Sequence, residues 1–169
     1  QLKIRSAGKP VAIIRPFNAF GPYQSVRAII PELIVKCLRG EDIVTTEGRQ
    51  TREFNFVENL VDGFLLAATR PEAVGQIINV GCGREIAIRD LVTAIHAATG
   101  SASALRIGAL PYRPGEIWRM YADNAKAGNL LGWTPRISFE EGLERTVAWF
   151  RRYLEVLASP DSPVAALGS

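Results

Sequence analysis

The sequence predicts an α/β fold: the last strands of a larger parallel sheet joined to a small mixed α/β portion. Three observations point there. Short β-branched runs alternate along the chain with amphipathic helical stripes, the pattern of strands connected by helices. Two of the runs, Val11-Ala-Ile-Ile14 and Gln76-Ile-Ile-Asn-Val80, are almost continuously apolar, as strands covered on both faces are. These two lie far apart in sequence, and a lone parallel pair does not make a stable sheet with helices on both faces. Neighbouring strands are therefore expected outside this sequence, and a chain lacking them is expected to fold poorly alone.

The elements follow in order. The first strand ends in Arg15-Pro-Phe-Asn-Ala-Phe-Gly-Pro22, whose prolines and glycine shape a loop. Ile29, Ile30, Leu33, Ile34, Cys37 and Leu38 recur at helical spacing, with Pro31 in the first turn and Gly40 at the stop. Ile43-Val-Thr-Thr46 is a small strand. Gly48 turns the chain into Thr51-Arg-Glu-Phe-Asn-Phe-Val57, whose alternation predicts an extended segment. Val57, Leu60, Val61, Phe64, Leu65 and Ala68 form the next helical stripe. The second buried strand leads into Gly81-Cys-Gly83, and Ile88, Leu91, Val92 and Ile95 mark a helix that Gly100 ends. Leu105 to Leu110 is a candidate strand, followed by the loop Tyr112-Arg-Pro-Gly-Glu116. Asp123 is placed to cap a short helix through Leu131, with Gly132 at its end. Ser138-Phe-Glu-Glu141 reads as a capping box for the last helix, which buries Phe139, Leu143, Val147, Phe150 and Leu154. Residues 1–157 are thus expected to be ordered and 158–169, rich in Ser, Pro, Ala and Gly, to be a flexible tail. Trp118, Trp133 and Trp149 are expected in the core, and His96 to have no chemical role.

Composition excludes several function classes. Hydrophobic residues are 47% and charged residues 22% of the 169, a globular mix. The net charge of +3 is mildly basic and the Lys and Arg residues are scattered, which argues against nucleic-acid binding and suits a small anionic ligand. No apolar run reaches the roughly 18 residues of a membrane span, and no signal peptide is evident. The two cysteines, Cys37 and Cys82, have no CxxC partner and there is one histidine, so neither a zinc site nor a disulfide framework is expected. A cytoplasmic setting is the simplest reading.

Candidate ligand residues stand in the loops. Arg27, Arg52 and Arg113 each sit in a stretch rich in Gly, Pro or Thr, and a guanidinium fork matches phosphate oxygens in pairs. Asn18 and Asn79 lie at the C-terminal ends of the two buried strands, the edge where open parallel sheets bind ligands. Glu116, three residues after Arg113, could accept hydrogen bonds from two ribose hydroxyls. Each has a plainer reading: a solvated arginine, an Asx turn at Asn18, or a pairing of Glu116 with Arg113 or Arg119.

Together the motifs are more specific. Arg15-Pro-Phe-Asn18-Ala-Phe-Gly-Pro22-Tyr-Gln, Ile30-Pro31, Gly48-Arg-Gln-Thr-Arg52-Glu-Phe-Asn-Phe-Val57-Glu-Asn, Ile78-Asn79-Val-Gly81, Arg113-Pro-Gly-Glu116, Asp123-Asn-Ala-Lys126, Leu131-Gly-Trp133-Thr-Pro135 and Ser138-Phe-Glu-Glu-Gly142-Leu occur in this order. Over residues 9 to 150 the series resembles extended short-chain dehydrogenase/reductase proteins, the NAD-dependent sugar-nucleotide epimerases and dehydratases, with their Rossmann-like sheet. The resemblance implies that Asn18 contacts the diphosphate or sugar and that Arg52 and Arg113 hold the diphosphate. It places Asn79 beside the phosphates, Arg27 and Ala28 along the base, and Glu116 near the ribose where the family often has aspartate.

It also implies what lies elsewhere. The family binds NAD at a Gly-rich turn and takes its base from Tyr-x-x-x-Lys. Here no GxGxxG occurs, and Tyr23, Tyr112, Tyr121 and Tyr153 are followed four residues on by Arg27, Glu116, Ala125 and Leu157. No catalytic residue is therefore assigned in this chain. The expectation is a C-terminal, substrate-binding half whose NAD-binding half lies upstream of Gln1, inactive alone and homodimeric when complete. The alternative is a free-standing module that binds nucleotide sugars without turnover.

Overall fold

The computed structural model describes residues 9–159. In chain order the elements are β1 (Ile13–Pro16), β2 (Ala19–Phe20), α1 (Ile29–Arg39), β3 (Ile43–Thr45), β4 (Thr51–Arg52), β5 (Asn55–Phe56), α2 (Val57–Thr69), a 3-10 turn (Pro71–Ala73), β6 (Ile77–Val80), β7 (Ile86–Ala87), α3 (Ile88–Thr99), β8 (Leu105–Ile107), β9 (Arg119–Met120), α4 (Ala125–Leu131) and α5 (Phe139–Ala158). They fall into two compact units. One comprises residues 9–20, Arg49–Ile88 and Arg113–Phe139; the other comprises Gly21–Gly48, Arg89–Tyr112 and the residues from Glu140 onward.

In the first unit β1 and β6 form the expected parallel pair, in register from Ile13 opposite Ile77 to Pro16 opposite Val80. No other described strand joins them. The first strand runs two residues later than its apolar run implies, because pairing is set by the partner. The Val11 carbonyl is taken by the Gly75 amide, and the ladder starts only where Ile13 N–H meets Gln76 O and closes where Phe17 N–H meets Val80 O. Helix α2 lies against this pair. With the 3-10 turn and α4 it buries Leu60, Ala67, Ala73, Ile78, Val80, Ala127, Leu131 and Trp133 in one cluster. Gly63 allows the close approach: a β-carbon there would lie 2.8 Å from Val80 Cγ1.

The expected extended segment 51–57 is divided. β4 pairs antiparallel with β7 and parallel with β9, whereas β5 pairs with β2 and α2 begins at Val57. The break falls at Glu53, whose fully buried carboxylate accepts the Gly83 and Ala122 amides and so leaves the sheet face. Phe20 packs edge-on to Phe56 and tilted to Phe139, at centroid distances of 5.6 and 5.5 Å.

In the second unit α1 buries Ile30, Leu33, Ile34 and Cys37 and stops at Gly40, whose φ of 71° lets its cap N–H return to Cys37 and Lys36. β3 pairs in parallel with β8. β8 ends at Ile107, short of the anticipated Leu110, because the Thr45 carbonyl accepts both the Gly108 and Leu110 amides and curls the chain away. His96 Nε2 lies 3.0 Å from the Ser103 carbonyl, a structural contact.

Two tryptophans depart from expectation. Trp133 is buried, but Trp118 is 50% exposed beside the edge strand β9. Trp149 is half-buried, between Tyr23 and Tyr153 at 4.8 and 5.0 Å. The Asp123 carboxylate does receive the Ala125 amide at 3.0 Å, although Asn124 is the capping residue of α4. α5 continues through Ala158, and residues 160–169 of the anticipated tail lie outside the described residues. No described helix is long and apolar enough to cross a membrane.

Candidate functional site

The parallel pair fixes one edge of the site. Asn18 follows β1 by two residues, with a left-handed φ of 34°, a region asparagine enters more readily than most residues. Its carbonyl accepts the Asn55 amide, and its Nδ2 is buried without a partner. Asn79, near the end of β6, is half-buried, with Nδ2 3.5 Å from the Asp123 carbonyl. Both therefore stand at the C-terminal edge.

Glu53 links that edge to the arginines. Its carboxylate grips the turn after β6 through the Gly83 amide at 2.9 Å, and burial pushes its pKa up. The preceding residue, Arg52, donates from Nη1 to the Thr51 carbonyl at 2.7 Å and from Nη2 to Glu116 Oε1 at 3.0 Å. Arg113 approaches the other oxygen of the same carboxylate, Nε to Oε2 at 3.5 Å. Side-chain exposure separates the two arginines: Arg52 is 15% exposed, Arg113 is 83% exposed, and Glu116 between them is 6% exposed. Arg52 is a fixed group and Arg113 an arm in solvent. The structure thus brings together Arg52, Arg113 and Glu116, and sets Asn18 and Asn79 on the strand edge. Arg27 and Ala28 belong to the other unit. Arg27 is exposed, with its amide on Ser25 Oγ, and Ala28 is the cap residue of α1.

A second charged group borders β4. Glu85 receives Arg119 through Nε at 3.1 Å and Nη2 at 2.5 Å, and Thr51 Oγ1 at 2.5 Å. The hydrogen bonds from Arg119 hold its pKa down at about 2. Arg119 also lies over the Tyr121 ring, 5.3 Å from its centroid. Neither Glu53 nor Glu85 was singled out from sequence. A carboxylate next to Phe54 at an inward position of an alternating run is the signal that could have flagged Glu53.

The one Gly-x-Gly turn after a buried strand does not fit a dinucleotide. A Gly-rich cofactor turn needs free amides and an open approach at a helix start. Here the Gly83 amide is bound by Glu53, and a β-carbon on Gly81 would already lie 2.0 Å from Glu53 Oε1. The turn leads into β7, not a helix. Cys82 in this turn has its thiol pushed up by burial. Among the described residues no group of three or more His, Cys, Asp or Glu could hold a metal ion.

A parallel β1–β6 pair covered by helices, with polar groups at its C-terminal edge, is the arrangement of an α/β protein. The sequence model of the GDP-mannose 4,6 dehydratase family matches residues 4–146. UDP-glucose 4-epimerase of Mycolicibacterium smegmatis is 37% identical over 145 residues, 82% of this chain and 44% of that protein. The crystal structure of Thermotoga maritima UDP-glucose 4-epimerase with UDP-glucose superposes with a TM-score of 0.83 at 29% identity, over 90% of this chain and 50% of that one. UDP-glucuronic acid 4-epimerase from Bacillus cereus, in complex with UDP-glucuronic acid and NAD, gives 0.81 at 25% identity over 90% and 48%. The chain belongs to the NAD-dependent sugar-nucleotide epimerase/dehydratase family of extended short-chain dehydrogenase/reductase proteins. It spans about half the length of these relatives.

Proposed function

We propose that this chain is the nucleotide-sugar-binding portion of an NAD-dependent nucleotide-sugar 4-epimerase or 4,6-dehydratase and is inactive by itself. The observation that carries the reading is the arginine pair on Glu116: one guanidinium held in place and one extended into solvent. A diphosphate needs more than one such fork to offset its charge. Asn18 and Asn79 supply amides on the strand edge for the sugar or phosphates. The roles of Arg27 and Ala28 beside the base rest on the resemblance alone. NAD is assigned to the complete protein on the family likeness, and the Gly81–Gly83 turn, filled by Glu53, offers it no cradle here.

Calorimetry tests this. The chain is titrated with UDP-glucose, dTDP-glucose and GDP-mannose, and separately with NAD. At least one nucleotide sugar is expected to bind, NAD is not, and no sugar is converted when all are present. Absence of binding to all three sugars by a chain that unfolds cooperatively in urea, or turnover by the chain alone, ends the proposal. The in-frame sequence upstream of Gln1 then separates a portion of an enzyme from a free-standing module: the former requires a Gly-rich turn and Tyr-x-x-x-Lys there.

A further inference from the structure

We infer that Tyr23 is a positioning residue: its ring, resting on Trp149, latches the loop from Gly21 to Ala28 onto α5 and so orders Arg27 and Ala28 before a nucleotide base arrives. The base comes from the nucleotide-sugar reading, which this inference deepens; the latch itself does not depend on it.

Tyr23 is a backbone outlier. Its φ is 63°, in the left-handed region that a bulky side chain enters only at a cost. Glycine or asparagine would sit there with less strain, and strain of this kind persists only where the surroundings impose it. Burial does not supply the compensation, because Tyr23 is 85% exposed. Among the described residues its hydroxyl makes no hydrogen bond. What holds it is the ring contact on Trp149, 4.8 Å between centroids and tilted by 54°.

That contact has a firm base. Trp149 stacks on Tyr153 at 5.0 Å and 12°, and meets Phe150 edge-on at 4.7 Å. Phe150 is fully buried, so the stack is anchored in the same unit that carries the loop. The rest of the loop is held locally. Its far end is set where α1 begins, with Ile30 and Leu33 buried, while Ser25, Val26 and Arg27 are exposed. The Gln24 and Ala28 amides bond within the loop, to the Gly21 and Ser25 carbonyls at 3.4 and 2.9 Å. An aromatic pair stabilises beyond the area it buries. Placed in mid-loop, it removes freedom that a ligand would otherwise have to remove on binding.

Two variants separate the ring from the backbone. Tyr23→Gly deletes the ring and leaves a residue at ease in the left-handed region; Tyr23→Phe keeps the ring. Trypsin cleavage of the full chain after Arg27, followed by mass spectrometry, reads the order of the loop, since cutting there requires local opening. Cleavage after Arg39, the last residue of α1, reads general loosening of the same unit. Calorimetry with inorganic pyrophosphate and with UDP, dTDP and GDP reads the effect on a base, because pyrophosphate has none.

In Tyr23→Gly the cut after Arg27 is expected to quicken while the cut after Arg39 keeps its rate. The best-bound nucleoside diphosphate should lose about three- to tenfold in affinity, the scale of one aromatic pair, with pyrophosphate binding unchanged and Tyr23→Phe like wild type throughout. An unchanged cut after Arg27, or equal acceleration at both sites, overturns the latch. Nucleoside-diphosphate affinity that stays the same, or that falls in step with pyrophosphate, overturns the positioning role. Tyr23→Phe behaving as Tyr23→Gly shows that the hydroxyl matters and the ring contact does not, which overturns both. Should Tyr23→Gly fail to fold, Trp149→Leu removes the grip from the helix side and is read in the same way. Wild type that binds no nucleoside diphosphate sinks the nucleotide-sugar reading and the base with it; the latch then stands or falls on the Arg27 cut.

Discussion

Trp133 Nε1 donates to the Asn59 main-chain carbonyl at 2.8 Å, joining the residue beyond α4 to the first turn of α2. The Asn59 side chain completes the junction. Its Nδ2 donates to Asn55 Oδ1 and the Ile137 carbonyl, and its Oδ1 accepts the Arg136 and Ile137 amides. Every polar position of this buried amide is engaged. Asn59→Ala strands those partners, and each buried group left unpaired costs about 1–3 kcal/mol. A loss of about 2–4 kcal/mol is expected in urea unfolding; a loss below about 1 kcal/mol would show that water replaces the amide there.

Gly63 and Val80 make a second such contact. A β-carbon at Gly63 meets both Val80 methyl groups, at 2.8 and 3.2 Å, and Val80 is fully buried. Gly63→Ala gains up to about 1 kcal/mol of helix propensity but overpacks the helix–sheet seam, at a cost of about 1–3 kcal/mol. Net destabilisation is expected, relieved when Val80→Ala is added. A stabilised single variant in thermal unfolding would show that α2 can lift from the strand at little cost.

Acid stability follows from Glu85. Its native pKa of about 2 lies below the usual 4.5 because Arg119 hydrogen-bonds the carboxylate. A depressed acid contributes stability above its unfolded pKa and loses it as pH falls through the native value. The contribution of Glu85 is therefore present above about pH 4.5 and vanishes towards about pH 2. Glu53 has the opposite sign: burial raises its pKa, so it favours the folded state as pH drops past its native value. Glu85→Gln should flatten the fall in unfolding free energy between those pH values. An unchanged acid limb would place the pairing of Glu85 with Arg119 outside the stability of the chain.

The two arginines should differ in their effects. Arg113 is mostly in solvent, where charge contributes through screened attraction. Arg113→Ala is expected to weaken nucleotide-diphosphate binding by about three- to tenfold and to reduce its salt dependence. Arg52→Ala should cost about thirtyfold or more, and Arg52→Lys should not restore it, because an ammonium cannot span the Thr51 carbonyl, Glu116 and a phosphate as a planar fork does. Equal losses at the two positions, read by calorimetry at two salt concentrations, would refute the asymmetry.

Much of the backbone was legible in the sequence because its signals are local. The stripe Ile30, Leu33, Ile34, Cys37 ends at Gly40 in the structure as in the pattern, since a helical face and a left-handed stop are properties of neighbouring residues. Strand ends were less legible: β1 shifts towards Pro16 because β6, more than sixty residues later, supplies its partners. Trp118 lies half in solvent, although its apolar side chain alone marked it for the core.

By itself, then, the sequence determined the helices and the strands near 11–14, 43–46, 76–80 and 105–110, the polar residues carried at strand ends, and the family likeness of their loops, but not the two-residue strands β2, β7 and β9. Only the tertiary structure decided what those residues face. Arg52 and Glu116 are 64 positions apart, and no periodicity can report an ion pair across that separation. Folding set Glu116 between two guanidinium groups and Glu53 against the turn after β6. Burying a carboxylate is costly without donors, and only the folded chain gathers donors from distant segments into one place.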